Sequence, residues 1–433
     1  MVVKERIFLI LRKKSIQDVS LVYLGSLLNG VSIFLINIFL GRILEKSLFG
    51  IFSLSVMVLS TVAEMSDFGL NAGLLRFAPY YLMSREYEKL KQLVKTIWRW
   101  RISLSVVLTF GGVIMSPFLA TYLFNNSAVY PYLVFSFLGI GGVILVGFTS
   151  AYLQASQNFL INSVVQSLKG LLRLLFVFFL YIIGVRDLFA YLFVYLAIPW
   201  ILFIFTYKYL PKGFRLTQVE IEIKQKINSQ LSKFSFWLTI WSFSAILSSR
   251  IDQVMVSHFL GLESVAVYGM AFQFVYIYTL AAQSITAVLI PKFSALKNNN
   301  EILFFLKKIV KYVSLAVFIL GVLVFISQYV IGFIFGYKYI ESTPIYIVLS
   351  YATLLGFFGI PASLIITTFN RTRLVAYSGF LQLVINFLLN FLLVPRFGVV
   401  GAAYTFGVGI ICSLVYNLSC AIYLMKRRIL EVV

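Results

Sequence analysis

Residues 162–181 read NSVVQSLKGLLRLLFVFFLY. The run has the apolar filling of a membrane helix, yet Lys169 and Arg173 sit inside it, four apart, with no acid in the segment. Asn162, Gln166, Lys169 and Arg173 fall at i, i+4, i+7 and i+11, so on a helix they share one face. A cation at the centre of a bilayer costs about 2.5–3.5 kcal/mol on insertion scales. Two on one stripe, without a local acid, favour an anion at that depth. A guanidinium can grip phosphate oxygens in a fork, and an ammonium acts as a point charge.

Other polar groups interrupt apolar runs. Ser60, Glu64, Asp67 and Asn71 repeat the same spacing as an acidic stripe. The bland reading is a carboxylate pairing with a base to hold helices together; the functional one is H+ or Na+ coupling. In ILSSRIDQVMVSHFLG, Arg250 and Asp252 lie two apart, about 200° around a helix, so each needs a partner elsewhere. Asp252 joins Glu64 and Asp67 as an ion-coupling candidate. Arg76 reads as a cation reaching for the membrane edge or as a further anion ligand. His258 reads as a satisfied polar group near an interface. Softer stripes, Ser26, Asn29 and Asn37, then Gln382, Asn386 and Asn390, fit helix–helix hydrogen bonding better than ligand binding. Asn29 is kept as a cavity-lining candidate beside Asn162 and Gln166. Cys412 and Cys420 fit buried small side chains, and no metal-ligand spacing or nucleotide-binding loop occurs.

The elements that must position these groups are membrane helices. Of 433 residues 61% are hydrophobic and 12% charged, and mean hydropathy is +0.96, against about 25% charged for a soluble domain. Long apolar runs favour helices over the short alternating strands of a barrel. We expect an all-α polytopic fold with twelve spans, near 17–41, 47–75, 96–123, 130–153, 159–184, 187–208, 234–260, 264–290, 308–334, 343–369, 373–394 and 399–424. The N-terminal arm, residues 1–16, reads as an amphipathic lead-in rather than a signal peptide.

Of the 36 basic residues, 27 fall in the arm, the even-numbered connections and the tail, and 5 in the odd-numbered connections. The second connection contributes six of the 27, from Arg85 to Arg101. This asymmetry places both termini in the cytoplasm and accounts for the net charge of +21 through anionic lipid rather than nucleic acid. Localisation is then a cytoplasmic membrane crossed many times.

FLGRILEKSLFGIFSL (39–54) matches FLGLESVAVYGMAFQF (259–274) in its FLG end, polar turn and aromatic-Gly pair, Phe49-Gly50 against Tyr268-Gly269. The offset is near half the chain. It predicts two pseudo-symmetric six-helix lobes, 1–208 and 234–433, joined by a basic linker at 209–233.

These two segments, DFGLNAGLLRFAP (67–79) and SRIDQVMVSHFLGLESVAVYG (249–269) resemble the polysaccharide-repeat-unit, O-antigen-type flippases of the multidrug/oligosaccharidyl-lipid/polysaccharide (MOP) exporter superfamily. The resemblance implies a two-lobed, MATE-like fold. It also implies passage of an undecaprenyl-diphosphate-linked oligosaccharide from the cytoplasmic to the outer leaflet by alternating access, with cavity cations engaging the anion. Lys169, Arg173, Arg250 and Arg76 are the expected ligands. Lipid-linked oligosaccharide, membrane lipids and the polysaccharide polymerase and chain-length machinery are the expected partners, with no cofactor beyond a coupling H+ or Na+. A cation-coupled drug exporter or a flippase for the peptidoglycan lipid precursor are the alternatives. No enzyme is expected: there is no large outer loop and no metal-binding acid pair.

Overall fold

The computed structural model describes residues 2–217, 221–294, 299–369 and 371–430. The basic side chains of the N-terminal arm, Lys226, Lys233, Lys292, Lys297 and the tail arginines lie outside the described residues. Every regular element among the described residues is helical. In chain order these are α1 (Val2–Ile43), α2 (Lys46–Met65), α3 (Leu70–Met83), α4 (Tyr87–Phe118), α5 (Tyr130–Ala155), α6 (Phe159–Ile182) and α7 (Leu188–Tyr207), then α8 (Ile221–Leu260), α9 (Leu262–Ser294), α10 (Asn299–Phe335), α11 (Ser342–Gly356), α12 (Gly359–Thr368) and α13 (Thr372–Leu430). A backbone in hydrocarbon must satisfy its own N–H and C=O groups, and a helix does so within one segment.

Eight helices among the described residues are long and apolar enough to cross a bilayer, or nine if α11 and α12, bent by 41° at their junction, count as one span. The chain is therefore a multi-pass membrane protein. Several expected span limits move. The run 47–75 is not one helix: it breaks between Met65 and Leu70, where Phe68 and Gly69 take left-handed φ of 46° and 67°. The run 343–369 divides into α11 and α12. The runs 373–394 and 399–424 are two helical stretches within α13, separated at Gly398, where the backbone leaves the helical region (φ 62°, ψ −148°). Hydropathy senses composition, not backbone torsion, so it does not register the break after Met65.

The chain forms two compact units. The first comprises residues 1–43, 55–120 and 127–242. Within it α1 packs along α6, and α5 packs between α4 and α7. Its apolar core joins α3, α4 and α5 to the turn after α7 and the start of α8, through Leu74, Leu93, Ile97, Trp98, Phe148 and Phe214. On α4 the buried positions Trp98, Arg101, Ser105 and Gly112 form one stripe, while Val107, Phe110 and Ile114 form an exposed apolar one. Such a face suits lipid.

The second unit comprises residues 44–54, 121–126 and 243–433. Here α9 packs on α11, and α11 and α12 pack on α13. The Tyr278 and Tyr346 hydroxyls share a 2.7 Å hydrogen bond between α9 and α11. The two repeated turns meet within this unit. A side chain at Gly50 would strike the backbone of Leu262, and one at Gly269 would come within 3.0 Å of Ser53 Oγ. The two aromatic-Gly pairs matched by sequence thus pack against each other's helices.

Candidate functional site

The first unit holds a cavity of about 440 Å³. Ser60, Glu64, Asp67 and Asn71 line it from α2, the break and α3. Arg101 comes from α4, Gly147 and Ser150 from α5, Gln166 and Lys169 from α6, and Ser242 from α8. The acidic stripe and half of the cationic stripe therefore face one space. The break after Met65 matters here: Asp67 and Asn71 reach the cavity from a turn and a new helix, not from a continuing one.

Asp67 has a partner that the sequence reading missed. Arg101 hydrogen-bonds the Asp67 carboxylate, and also donates to Asn71 Oδ1 at 2.8 Å and to the Ser66 carbonyl at 3.1 Å. Asn71 N–H donates to Asp67 Oδ1 at 3.3 Å, tying the first turn of α3 to the break. Arg101 is 2% exposed. Its assignment to a solvated cytoplasmic connection is corrected: α4 starts at Tyr87, well before the apolar run, so Arg101 lies a full four turns inside a helix. The readable clue was spacing. Arg101 follows Trp98 by three and precedes Ser105 by four, on the stripe that α4 buries, whereas Arg99 lies off it and is exposed. Glu64 is the more exposed acid of the cavity.

Lys169 lines the cavity, and no hydrogen bond or ion pair to its ammonium is found among the described residues. Arg173 does not line it. Its guanidinium lies 4.4 Å from the centre of the Tyr195 ring on α7 and donates to the Tyr195 carbonyl at 3.4 Å, with the side chain 6% exposed. Asn162 is also buried and outside the cavity lining. Asn29 sits where α1 crosses α6: a side chain at Gly170 would meet Asn29 Cα at 2.6 Å. One helical face therefore serves two ends. Gln166 and Lys169 face the cavity, while neighbouring helices cover the stripe at Asn162 and Arg173.

Arg250 and Asp252 belong to the second unit, Arg250 half-buried and Asp252 1% exposed. Asp252 is held by neutral donors: Tyr268 Oη donates to Oδ2 at 3.0 Å and Asn390 Nδ2 to Oδ1 at 2.6 Å. The reading of a Lys or Arg partner is replaced by this three-helix junction of α8, α9 and α13. Asn386 donates to the Ser248 carbonyl at 3.3 Å, the helix-joining role expected of that stripe. His258 Nδ1 lies 3.2 Å from the Leu123 carbonyl.

Arg76 is exposed and lines a separate cavity of about 600 Å³ in the first unit, with Phe77, Tyr80, Lys89 and Glu222. It shares no lining residue with the Lys169 cavity. No group of three or more His, Cys, Asp or Glu side chains suited to a metal ion occurs among the described residues.

The profile of the family described as "polysaccharide biosynthesis protein" matches residues 15–297. An uncharacterized membrane protein of Methanocaldococcus jannaschii is 23% identical over 411 residues, covering 91% of this chain and 81% of that protein. Among solved structures, an inward-facing MATE-family multidrug resistance transporter of the MOP superfamily superposes with a TM-score of 0.79, at 12% identity, covering 92% of this chain and 95% of the other. The lipid II flippase MurJ in an inward closed conformation superposes with a TM-score of 0.74, at 15% identity, covering 92% and 87%. At such identity the likeness is one of fold, and the proteins that share it are transporters and flippases, not enzymes. With its profile match running over well over half of the sequence, the chain belongs to the polysaccharide biosynthesis protein family, built on the fold of MOP-superfamily transporters.

Proposed function

We propose that the protein is a flippase carrying an undecaprenyl-diphosphate-linked oligosaccharide from the cytoplasmic to the outer leaflet by alternating access. In this reading the chain has twelve spans in two lobes, 1–208 and 234–433, joined by 209–233, with both termini in the cytoplasm. Family membership supports a lipid-linked sugar as cargo. The observation that carries the reading is Lys169: an ammonium on an apolar helix, facing a polar cavity that it shares with the Glu64 carboxylate, with no hydrogen bond or ion pair to it among the described residues. A diphosphate can bond that ammonium directly, and a ligand drives a conformational change through its different affinity for the two states. Glu64, Gln166, Asn71 and the serines offer hydrogen bonds to sugar hydroxyls in the same space.

Arg173 takes a positioning role here, bracing α6 on α7 beneath Lys169. Arg250 and Arg76 remain candidate ligands, each at a place of its own. Asp252 and Glu64 are the candidates for H+ or Na+ coupling, and Asp67, held by Arg101, is the weaker one. The test is export of the glycan in cells and transfer of a lipid-linked oligosaccharide across vesicles. K169Q is expected to lower both by tenfold or more while the protein stays folded in the membrane. Wild-type rates from folded K169Q would remove the anion site.

A second reading, export of an organic cation, draws on Glu64 in the cavity. It predicts that E64Q abolishes transport and K169Q spares it.

A further inference from the structure

The turn between α7 and α8 carries a feature that transport does not use. Arg215 lies at 4.9 Å from the centres of the Trp98 and Tyr207 rings and 6.0 Å from that of Phe214. Trp98 and Phe214 are themselves buried in the core, Trp98 stacked with Phe203 at 5.9 Å and edge-on to Phe214 at 5.8 Å. The box is therefore rigid, and it fixes the guanidinium in place. Cation–π contact uses the face of a guanidinium and leaves its N–H edge available. The Arg215 side chain is exposed, and among the described residues no hydrogen bond or ion pair engages that edge.

The surroundings add positive charge. Lys95 donates to the Thr217 carbonyl at 2.6 Å, which pins the end of the same turn to α4. Lys208 lies over the Phe205 ring at 4.5 Å and the Tyr209 ring at 5.2 Å, and Lys212 is exposed in the turn. No carboxylate pairs with any of these among the described residues. Beside Arg215 stands Leu216, 84% exposed, whereas Leu210 and Phe214 of the same turn are buried. On α7, the helix that leads into the turn, Ile201, Ile204 and Phe205 are exposed as well. A fork of N–H donors, ammonium groups in the same turn, an exposed leucine next in sequence and an apolar exposed stretch of the preceding helix match a phosphate with acyl chains attached.

We infer that the Arg215 box is a binding site for the headgroup phosphate of an anionic phospholipid. The guanidinium edge and Lys212 hold the phosphate, and Leu216 with the exposed face of α7 accepts the acyl chains. A free phosphate would gain nothing from the apolar strip. The site is far in sequence from Lys169 and shares no lining residue with its cavity, so it stands whether or not the transport reading does.

The test uses the full chain purified in detergent. It is incubated with equal amounts of phosphatidylglycerol and phosphatidylcholine, and the lipids that survive collisional activation are identified by native mass spectrometry. Phosphatidylglycerol is expected to be retained in preference. R215Q should lower that retention about tenfold, the loss of a charge-assisted hydrogen bond. R215K, which keeps the charge but not the fork, should fall between, and it serves in place of R215Q if that variant does not elute as a single species. L216S should weaken retention of phosphatidylglycerol as well. Excess inorganic phosphate should not displace the lipid. Equal retention of the two lipids, wild-type retention by well-folded R215 variants, or displacement by phosphate would each overturn the proposal.

Discussion

Arg101 on α4 bonds the Asp67 carboxylate at the break between α2 and α3, 34 residues earlier in the chain. The contact holds together three things: a helix break, the lining of the cavity and a helix whose opposite face is apolar and exposed. Asp67 is 29% exposed and Arg101 almost fully buried, so the arginine is the member that depends on its partner.

Removing that partner is therefore costly. Breaking a buried ion pair from one side typically costs about 3–5 kcal/mol, and the partial exposure of Asp67 places D67A toward the lower end. D67N keeps an acceptor and should lose less. R101L with D67L together should be milder than either alone, because no charge is then stranded. Thermal unfolding of wild type, D67A, D67N, the two leucine singles and the double variant in detergent checks the order, and a double variant as unstable as the sum of the singles would contradict it.

Lys169 should behave in the opposite way. A cation on an apolar helix is a cost of about 2.5–3.5 kcal/mol at full depth. K169Q should unfold at the same temperature as wild type or higher, while transport falls. A group that costs stability and supports activity is what a functional site predicts. A lower melting temperature for K169Q would instead make Lys169 a structural residue.

Asp252 sits between the Tyr268 hydroxyl and the Asn390 amide. D252A leaves two buried donors without an acceptor, at about 1–3 kcal/mol each. D252N preserves the shape and one acceptor but not the charge. If Asp252 couples an ion, D252N should fold well and make transport insensitive to a sodium or proton gradient. Retained gradient dependence in folded D252N would leave Asp252 with the helix junction alone.

Close helix crossings give the last prediction. Gly25 on α1 faces Ser163 on α6, whose carbonyl oxygen would lie 2.7 Å from an added Cβ, and Gly50 faces the backbone of Leu262. Since backbone cannot swing aside as a side chain can, G25V and G50V should each cost about 1–3 kcal/mol or more through overpacking. Gly111 on α4, which has nothing within 4 Å of an added Cβ, is the control, and G111V should be near neutral. Equal melting temperatures for all three would refute the packing argument.

Much of this architecture could be read from the residues alone. Recurrent apolar runs dictate a polytopic helical protein, because only helices and closed barrels satisfy the backbone in lipid. The i, i+4, i+7 spacing marked Lys169 and Gln166 as cofacial, and the cavity takes both. The two FLG turns share a sequence pattern, and the glycine after each lies against the helix that follows the other, Gly50 against Leu262 and Gly269 against Ser53. Which neighbour each polar group would find was not encoded at short range. Arg101 looked like one more cytoplasmic cation until α4 buried it; Arg173 shares a stripe with Lys169, yet its guanidinium meets the Tyr195 ring on α7; Asp252 looked like half of an ion pair until two neutral donors closed on it. The four-residue break after Met65 belongs to the same class, since torsion at Phe68 and Gly69 leaves no trace in hydropathy. Periodicity along one helix determines which side chains share a face. What that face meets, whether water, a ring or a carboxylate, depends on helices dozens of residues away, and only their packing decides it.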